Sequence, residues 1–268
     1  TYCIEALMQD RKSLQAGTSH YLGQNFAKAF DVTFQTRDKT VDYAWATSWG
    51  SSTRLMGALI MAHSDDKGLV VPPRVAPVEV VIVPIFKNET KDAVVAFARK
   101  LRDQMAPSFR VLLDDDDQNT PGWKFSEYEM QGVPVRIEIG PRDMEKNQVV
   151  AARRDTGEKT FVPVDQAVTV VRTLLDSIQS SLFERALKFR NDSTRRVADY
   201  ADFKKLIEDP GGFLEAGWCG DAACEARVKE ETKATIRLLP LERRDTGGAP
   251  CMVCGKTARD IAVFARAY

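Results

Sequence analysis

The chain has 268 residues, 44% of them hydrophobic and 28% charged. That is the make-up of a folded protein of one to three domains, and it excludes a disordered or fibrous chain. Lys plus Arg and Asp plus Glu balance at 38 each, so overall charge names no polyanionic partner and a nucleic-acid site must be a local basic patch. The apolar stretch nearest to a membrane span, Leu55 to His63, is too short and runs into Asp65-Asp66-Lys67. The first residues are mixed polar rather than leader-like, so no membrane partner and a cytoplasmic location are expected. There is no initiator Met, and Tyr2, Ile4 and Ala6 alternate with polar residues. The chain therefore reads as starting inside a strand of a longer parent.

In chain order, Asn25 to Phe30 is helical, and Val32 to Phe34 and Tyr43 to Thr47 are strand candidates. Leu55, Met56, Leu59, Ile60 and Ala62 recur at helical spacing behind the capping hydroxyls of Ser51, Ser52 and Thr53. A helix this apolar is expected to be buried. Pro72, Pro73 and Pro77 mark a domain boundary. Val78 to Ile85 reads as a strand covered on both faces, followed by an amphipathic helix at Asp92 to Met105. A strand at Phe109 to Leu113, a helix at Trp123 to Met130 and a strand at Val133 to Ile139 come next. Gln148 to Arg153 and Lys159 to Val164 flank the turn Asp155-Thr156-Gly157 as a hairpin. Gln166 to Arg190 is a long helix. The order predicts a mostly parallel sheet with one antiparallel pair. Beyond it, Ala201 to Glu208 and Asp221 to Thr232 are helical, with short strands and loops around the cysteines.

Five cysteines in a chain without secretory features point to reduced thiols or metal rather than disulfides. Cys219 and Cys224 form a C-x4-C pair, and Cys251 and Cys254 a C-x2-C pair. Two such pairs can close a tetrahedron of thiolates around a structural Zn²⁺, which would supply much of the stability of so small a unit. Four unrelated buried thiols are the alternative. Cys3 lies far off and reads as a packed thiol.

The segment Leu14-Gln15-Ala16-Gly17-Thr18-Ser19-His20-Tyr21-Leu22-Gly23-Gln24-Asn25-Phe26 resembles a signature of prolyl-tRNA synthetases of the archaeal and eukaryotic type, in class IIa. So do Thr47-Ser48-Trp49-Gly50-Ser51-Ser52-Thr53-Arg54, the stretch Gly57 to His63, Leu69 to Pro77, the Cys pairs and the final Phe264-Ala265-Arg266-Ala267-Tyr268. The resemblance implies an α/β and α+β multidomain chain in three parts. Residues 1–76 would be the end of a class II antiparallel-sheet catalytic core, carrying the third motif. Residues 77–190 would be a mixed-sheet α/β anticodon-binding domain, and 191–268 a small α+β zinc domain. It also implies ATP with Mg, proline and tRNA(Pro) as substrates.

By the same resemblance Arg54 matches the third-motif arginine, near the adenine and the ATP phosphates. A guanidinium at a helix N-terminus adds its charge to a dipole that already favours anions. Without the resemblance it would read as a cap or an ion-pair partner. Gln15, Thr18 and Thr53 fall to the ATP side. His20 contacts the adenylate or terminal adenosine and, with Arg54, is assigned to catalysis. Together with Trp49, Gly50 and Ser52, His20 walls the proline pocket, where a flat aromatic face suits a pyrrolidine ring. His63 reads as structural, satisfying carbonyls at a helix end. Glu138 and Arg142, with Lys124 and Arg136, are the candidate anticodon readers, because carboxylates and cations match a guanine's edge. Asp114 to Asp117 reads as a solvated loop. Tyr268 is expected to fold back towards the active site. The family's first and second motifs, and the homodimer interface the first one builds, would lie upstream of Thr1, so the segment alone is expected to be inactive. The rival reading is a non-catalytic tRNA- or RNA-binding relative.

Overall fold

The computed structural model describes residues 1–242 and 245–268. Strands β1 (Tyr2–Leu7) and β2 (Ser13–Gly23) run antiparallel. Then come α1 (Asn25–Ala29), the small hairpin of β3 (Thr33–Gln35) and β4 (Val41–Tyr43), β5 (Ala46–Gly50) and α2 (Arg54–His63). Strand β2 had no strand signal in the sequence, because Gly17 and the polar run Thr18-Ser19-His20 break any apolar alternation. It is nevertheless the middle strand of the sheet β1-β2-β5. The expectation that α2 is buried is corrected. Only Ala58 is buried, while Leu55, Met56 and Ile60 are exposed. The small cluster of Met8, Leu14 and Ala58 is all the core this sheet offers the helix, too little to cover its remaining apolar face.

The middle of the chain holds β6 (Val80–Pro84), α3 (Lys91–Met105), β7 (Val111–Leu113), α4 (Pro121–Met130), β8 (Val135–Ile139), α5 (Pro141–Glu145), β9 (Gln148–Arg153), β10 (Lys159–Pro163) and α6 (Ala167–Asp192). Every residue of β6 is buried, as a β-branched strand paired on both sides requires. The sheet order is β10-β9-β8-β6-β7. β6 is parallel to β7 and β8, while β8-β9 and β9-β10 are both antiparallel, one antiparallel pair more than expected. α3 packs Val94, Ala98, Leu101 and Met105, and α6 packs Val171, Leu175, Ile178 and Leu182, onto one shared core. Each such Val, Leu or Ile stabilises by about 1.5–3 kcal/mol relative to exposure. The unforeseen α5 starts on Pro141, which suits a first helical position because the missing N–H is unpaired there in any case.

The last part holds β11 (Thr194–Arg196), α7 (Tyr200–Glu208), β12 (Phe213–Trp218), α8 (Ala222–Thr232), β13 (Thr235–Leu238) and β14 (Asp260–Ala265). The sheet order is β11-β12-β14-β13, with β14 antiparallel to both neighbours. Asp199 and Asp221 cap α7 and α8 by accepting first-turn N–H groups. Phe203 and Phe264 meet edge to face, centroids 5.4 Å apart, at the centre of the core.

Two compact units emerge, 1–62 with 189–268, and 63–188. In the discontinuous unit the chain's two ends interlock. Ser13, fully buried, donates its N–H to the Arg266 carbonyl at 2.8 Å, and Gly212 donates to the Arg11 carbonyl at 3.2 Å.

In the second unit, Arg154 grips Asp65 with both guanidinium nitrogens, at 2.6 and 2.9 Å, and donates Nε–H to the Glu129 carbonyl. The hydrogen bonds from Arg154 are the main reason the Asp65 carboxyl is pulled down to about 2. A folded-state value below the unfolded one, about 3.9, means the stabilisation is present above pH 4 and is lost as pH falls through 2. Asp65→Asn is therefore expected to cost about 1–3 kcal/mol at pH 6. Urea midpoints of the two forms should converge near pH 2; a gap that persists there would contradict the pairing.

Candidate active site and metal centre

In β2, simple alternation would put Gln15 on the opposite face from Thr18 and His20. The ladder shows why it does not. Ile4 pairs with Gly17 but Glu5 pairs with Gln15, so Ala16 is an extra residue, a bulge that resets the alternation. On the other edge, Thr18 faces Gly50, Ser19 faces Trp49 and His20 faces Ser48. Gln15, Thr18, His20, Trp49, Gly50, Ser52 and Arg54 line one open cavity of about 310 Å³. Thr53 is not among its lining residues; its carbonyl accepts the Met56 N–H in the first turn of α2.

Arg54 is the first residue of α2, where the helix dipole favours negative charge; the first-turn N–H groups of Leu55 and Met56 donate to the Ser52 and Thr53 carbonyls. Its Nη1 donates to the Gln15 carbonyl at 3.3 Å, and its own N–H donates to Ser52 Oγ at 3.3 Å. No carboxylate is paired with it among the described contacts. His20 Nδ1 shares a hydrogen bond with Thr1 Oγ1 at 2.9 Å. Trp49 is 81% exposed, its ring presented rather than packed. A Cβ added at Gly50 would meet nothing within 4 Å, so space beside it is free.

The four cysteines Cys219, Cys224, Cys251 and Cys254 converge, with all sulfurs within 4.8 Å of one another. Cys219 lies 3.7 Å from both Cys224 and Cys254. A tetrahedron with metal–sulfur bonds of about 2.3 Å has sulfur–sulfur edges of about 3.8 Å. The spacing thus fits a single ion and is far from a disulfide's bond length. The residue just after β12, the N-terminal turn of α8 and the knuckle 251–254 supply the thiols, and the knuckle is tied down by the Met252 N–H donating to the Gly217 carbonyl. A side chain at Gly217 would strike the Pro250 carbonyl at 2.3 Å, so only glycine allows this approach. Burial opposes ionisation of Cys251, yet N–H groups of Cys254, Val253 and Cys219 outweigh it and bring the thiol down to about 7. Thiolate character suits a metal ligand.

Residues 200–268 match the family described as prolyl-tRNA synthetase, C-terminal, and residues 79–174 match the anticodon binding domain. The proline–tRNA ligase of Chlorobium phaeobacteroides (strain BS1) is 54% identical over 276 residues, covering all of this chain and 57% of that protein. That of Pelodictyon phaeoclathratiforme is 55% identical over 280 residues, again covering the whole chain and 57% of its own length. That of Christiangramia forsetii is 50% identical over 270 residues, covering the whole chain and 55% of its length. Along its whole length the chain is similar to proline–tRNA ligases, and its residues 200–268 to the C-terminal region of prolyl-tRNA synthetases. It spans a little over half the length of the curated relatives it matches.

The family's fold class is as expected, with a class II-type antiparallel sheet, a mixed α/β unit and a cysteine-bearing α+β region. Within the part matching the anticodon-binding family, the candidate readers separate. Lys124 needs correction. It is 2% exposed, and its Nζ is spent on the Asp114 carboxylate at 2.8 Å and on the carbonyls of Asp114 and Asp116. The acidic run is corrected with it. Asp114 also accepts from the Tyr128 hydroxyl, Asp115 pairs with Arg99 and Asp117 with Lys91, so the run is knitted into the fold rather than merely solvated. Glu138 is nearly shielded and held by Arg136 and Lys159, at 2.9 Å each, while Arg136 stacks over the Phe125 ring. Glu138 and Arg136 therefore satisfy each other. Arg142 alone of the four is exposed.

Arg142 follows the carboxyl end of β8, the end shared by the parallel strands β6 and β7. At that edge a hollow of about 220 Å³ is lined by Pro84, Phe86, Asn88, Gln118 and Thr120, and also by the acidic Asp116 and Asp117 and by Lys124. The sequence reading missed this hollow, although loops at the carboxyl ends of parallel strands are the usual ligand positions of such sheets.

Among the described residues the buried His63 Nδ1 has no hydrogen-bond partner, so this nitrogen does not satisfy a carbonyl at the helix end, and burial lowers the imidazole's pKa. Tyr268 docks at the start of β2. Its N–H donates to the Ser13 carbonyl at 3.4 Å and Lys12 lies over its ring. Burial and the Asp10 carboxylate push its phenol up to about 12.

Among the described residues no helix is long and apolar enough to cross a membrane.

Proposed function

We infer that the chain is the C-terminal part of a proline–tRNA ligase. In this reading it contributes one wall of the site where ATP and proline form prolyl-adenylate, together with the tRNA-binding half of the enzyme. The observation that carries the reading is the convergence of Gln15, Thr18, His20, Trp49, Gly50, Ser52 and Arg54 on one cavity at the N-terminus of α2. Proline's carboxylate attacks the α-phosphorus of ATP and pyrophosphate leaves; a hydroxyl of the tRNA's terminal adenosine then takes the prolyl group and AMP leaves. Mg²⁺ accompanies the ATP. The protein's work is positioning and charge stabilisation. Arg54 and the α2 N-terminus hold phosphate oxygens, Gln15 and Thr18 offer hydrogen bonds to the nucleotide, and Thr53 supports the same side. Trp49, Gly50 and Ser52 wall the pyrrolidine, and His20 contacts the adenylate.

The working division is 1–76 for the end of the catalytic core, 77–190 for anticodon binding and 191–268 for a domain in which the four cysteines hold Zn²⁺. The hollow at the carboxyl edge of β6, β7 and β8 receives the anticodon of tRNA(Pro), with Phe86 available for stacking and Asn88 and Gln118 for base edges, and the exposed Arg142 follows β8 at the same end. The full-length protein acts in the cytoplasm as a homodimer.

The test is ATP–pyrophosphate exchange by the full-length protein with single amino acids. Exchange stimulated by proline, but not by threonine or histidine, is expected. A protein that binds tRNA but supports no exchange would favour the non-catalytic relative instead.

A further inference from the structure

Ladder partners share a face. Cys3 with Thr18 and Glu5 with Gln15 therefore place four side chains on the face of the β1-β2-β5 sheet that bears the cavity. One side of that face is open. The other is closed by Arg237 of β13, more than 200 residues away in sequence. Arg237 donates Nη2–H to Glu5 Oε1 at 3.0 Å and Nε–H to Oε2 at 3.1 Å, a two-point grip that only a guanidinium makes. Ser13 Oγ donates to the same Oε2 at 2.6 Å. The Glu5 side chain is wholly shielded from water, and Arg237 is braced by donating Nη1–H to Thr235 Oγ1 at 3.2 Å, while its carbonyl accepts from the Cys3 thiol. Glu5 is the residue opposite the bulge that turns Gln15 into the cavity, and the Gln15 carbonyl receives Arg54.

We propose that Arg237 is a positioning residue for amino-acid activation: its grip on Glu5 holds the β2 bulge in the form that aims Gln15, and through the Gln15 carbonyl Arg54, at the substrates. The proposal rests on the cavity being the adenylation site. A shielded carboxylate with no counter-charge would draw in water or move away, and the bulge is the element with least support of its own, because its extra residue is unpaired. A displacement of about 1 Å at such a place is enough to lower a reaction rate about a hundredfold.

The test uses the full-length protein with Arg237→Met, Glu5→Gln, the double substitution and Arg237→Lys. Arg237→Met is expected to reduce kcat of proline-dependent pyrophosphate exchange about a hundredfold, with metal content and tRNA affinity unchanged. The double variant should be no worse than the single, because the two residues act as a pair. Arg237→Lys, which keeps charge and one contact, should recover part of the rate. Amide hydrogen exchange at residues 15–18 should rise about tenfold in Arg237→Met while the β12–β14 ladder stays protected. This last readout does not depend on which amino acid is activated, so it separates failure of the proposal from failure of the functional assignment. Unchanged protection at residues 15–18, or a folded, metal-retaining Arg237→Met protein within twofold of the unaltered rate, would overturn it. So would losses that simply add in the double variant.

Discussion

Arg54→Ala in the full-length protein is expected to slow proline-dependent pyrophosphate exchange by about 10²–10³-fold, the usual loss when one preorganised charge or donor is taken from a developing anion. The size follows from where the residue stands. It is first in α2, oriented by the Gln15 carbonyl, and among the described contacts no carboxylate neutralises it. Its charge is thus available to phosphate, and the helix N–H groups beneath it add to the same field. Arg54→Lys keeps the charge but loses the planar fork, so a partial recovery is expected. Affinity for tRNA should not change, because the hollow proposed for the anticodon is built from other elements. Steady-state exchange with ATP and proline varied separately measures this. An alanine variant within threefold of the unaltered kcat would remove Arg54 from the site.

Cys251→Ser is expected to empty the metal centre and with it to unfold the C-terminal sheet. Structural zinc contributes about 10–16 kcal/mol in small peptides, as much as or more than the whole net stability of a typical domain, about 5–15 kcal/mol. Here the thiols come from the residue just after β12, from α8 and from the knuckle that rests on Gly217, so losing one ligand loosens all three. Metal analysis should fall from about one zinc per chain to none, and proteolysis should cut within residues 200–268. Full thermal stability in a metal-free Cys251→Ser protein would mean that the four thiols only pack.

Much of this was legible in the chain itself. The β-branched run of β6, the helical spacing of α3 and α6 and the two Cys pairs each follow from a local period or spacing, and each stands where it was expected. The family resemblance rested on short polar motifs, of which Gln15, Thr18, His20, Trp49, Gly50, Ser52 and Arg54 line one cavity while Thr53 does not. What escaped was non-local. β2 is a strand because β1 and β5 flank it, not because of its own pattern. The bulge at Ala16 depends on the register of two strands, which no single segment carries. Lys124 looked like a surface cation until Asp114, ten residues earlier, folded over it. The exposure of α2 likewise could not be read from its own composition, which describes how apolar a helix is and not how much there is to cover it.

The interlocking of residues 1–62 with 189–268 bears on how the protein is made. β14, residues 260–265, is an interior strand of its sheet, and the pairing of Ser13 with Arg266 and Tyr268 closes the unit. When a ribosome adds these residues, β1 and β2 have been made long before and still lack this partner. Residues 63–188 can fold as they emerge, because every strand of their sheet is in that stretch. The unit bearing the cavity must wait for β14 and for Arg266 and Tyr268, and so it matures later than the unit whose strands are contiguous.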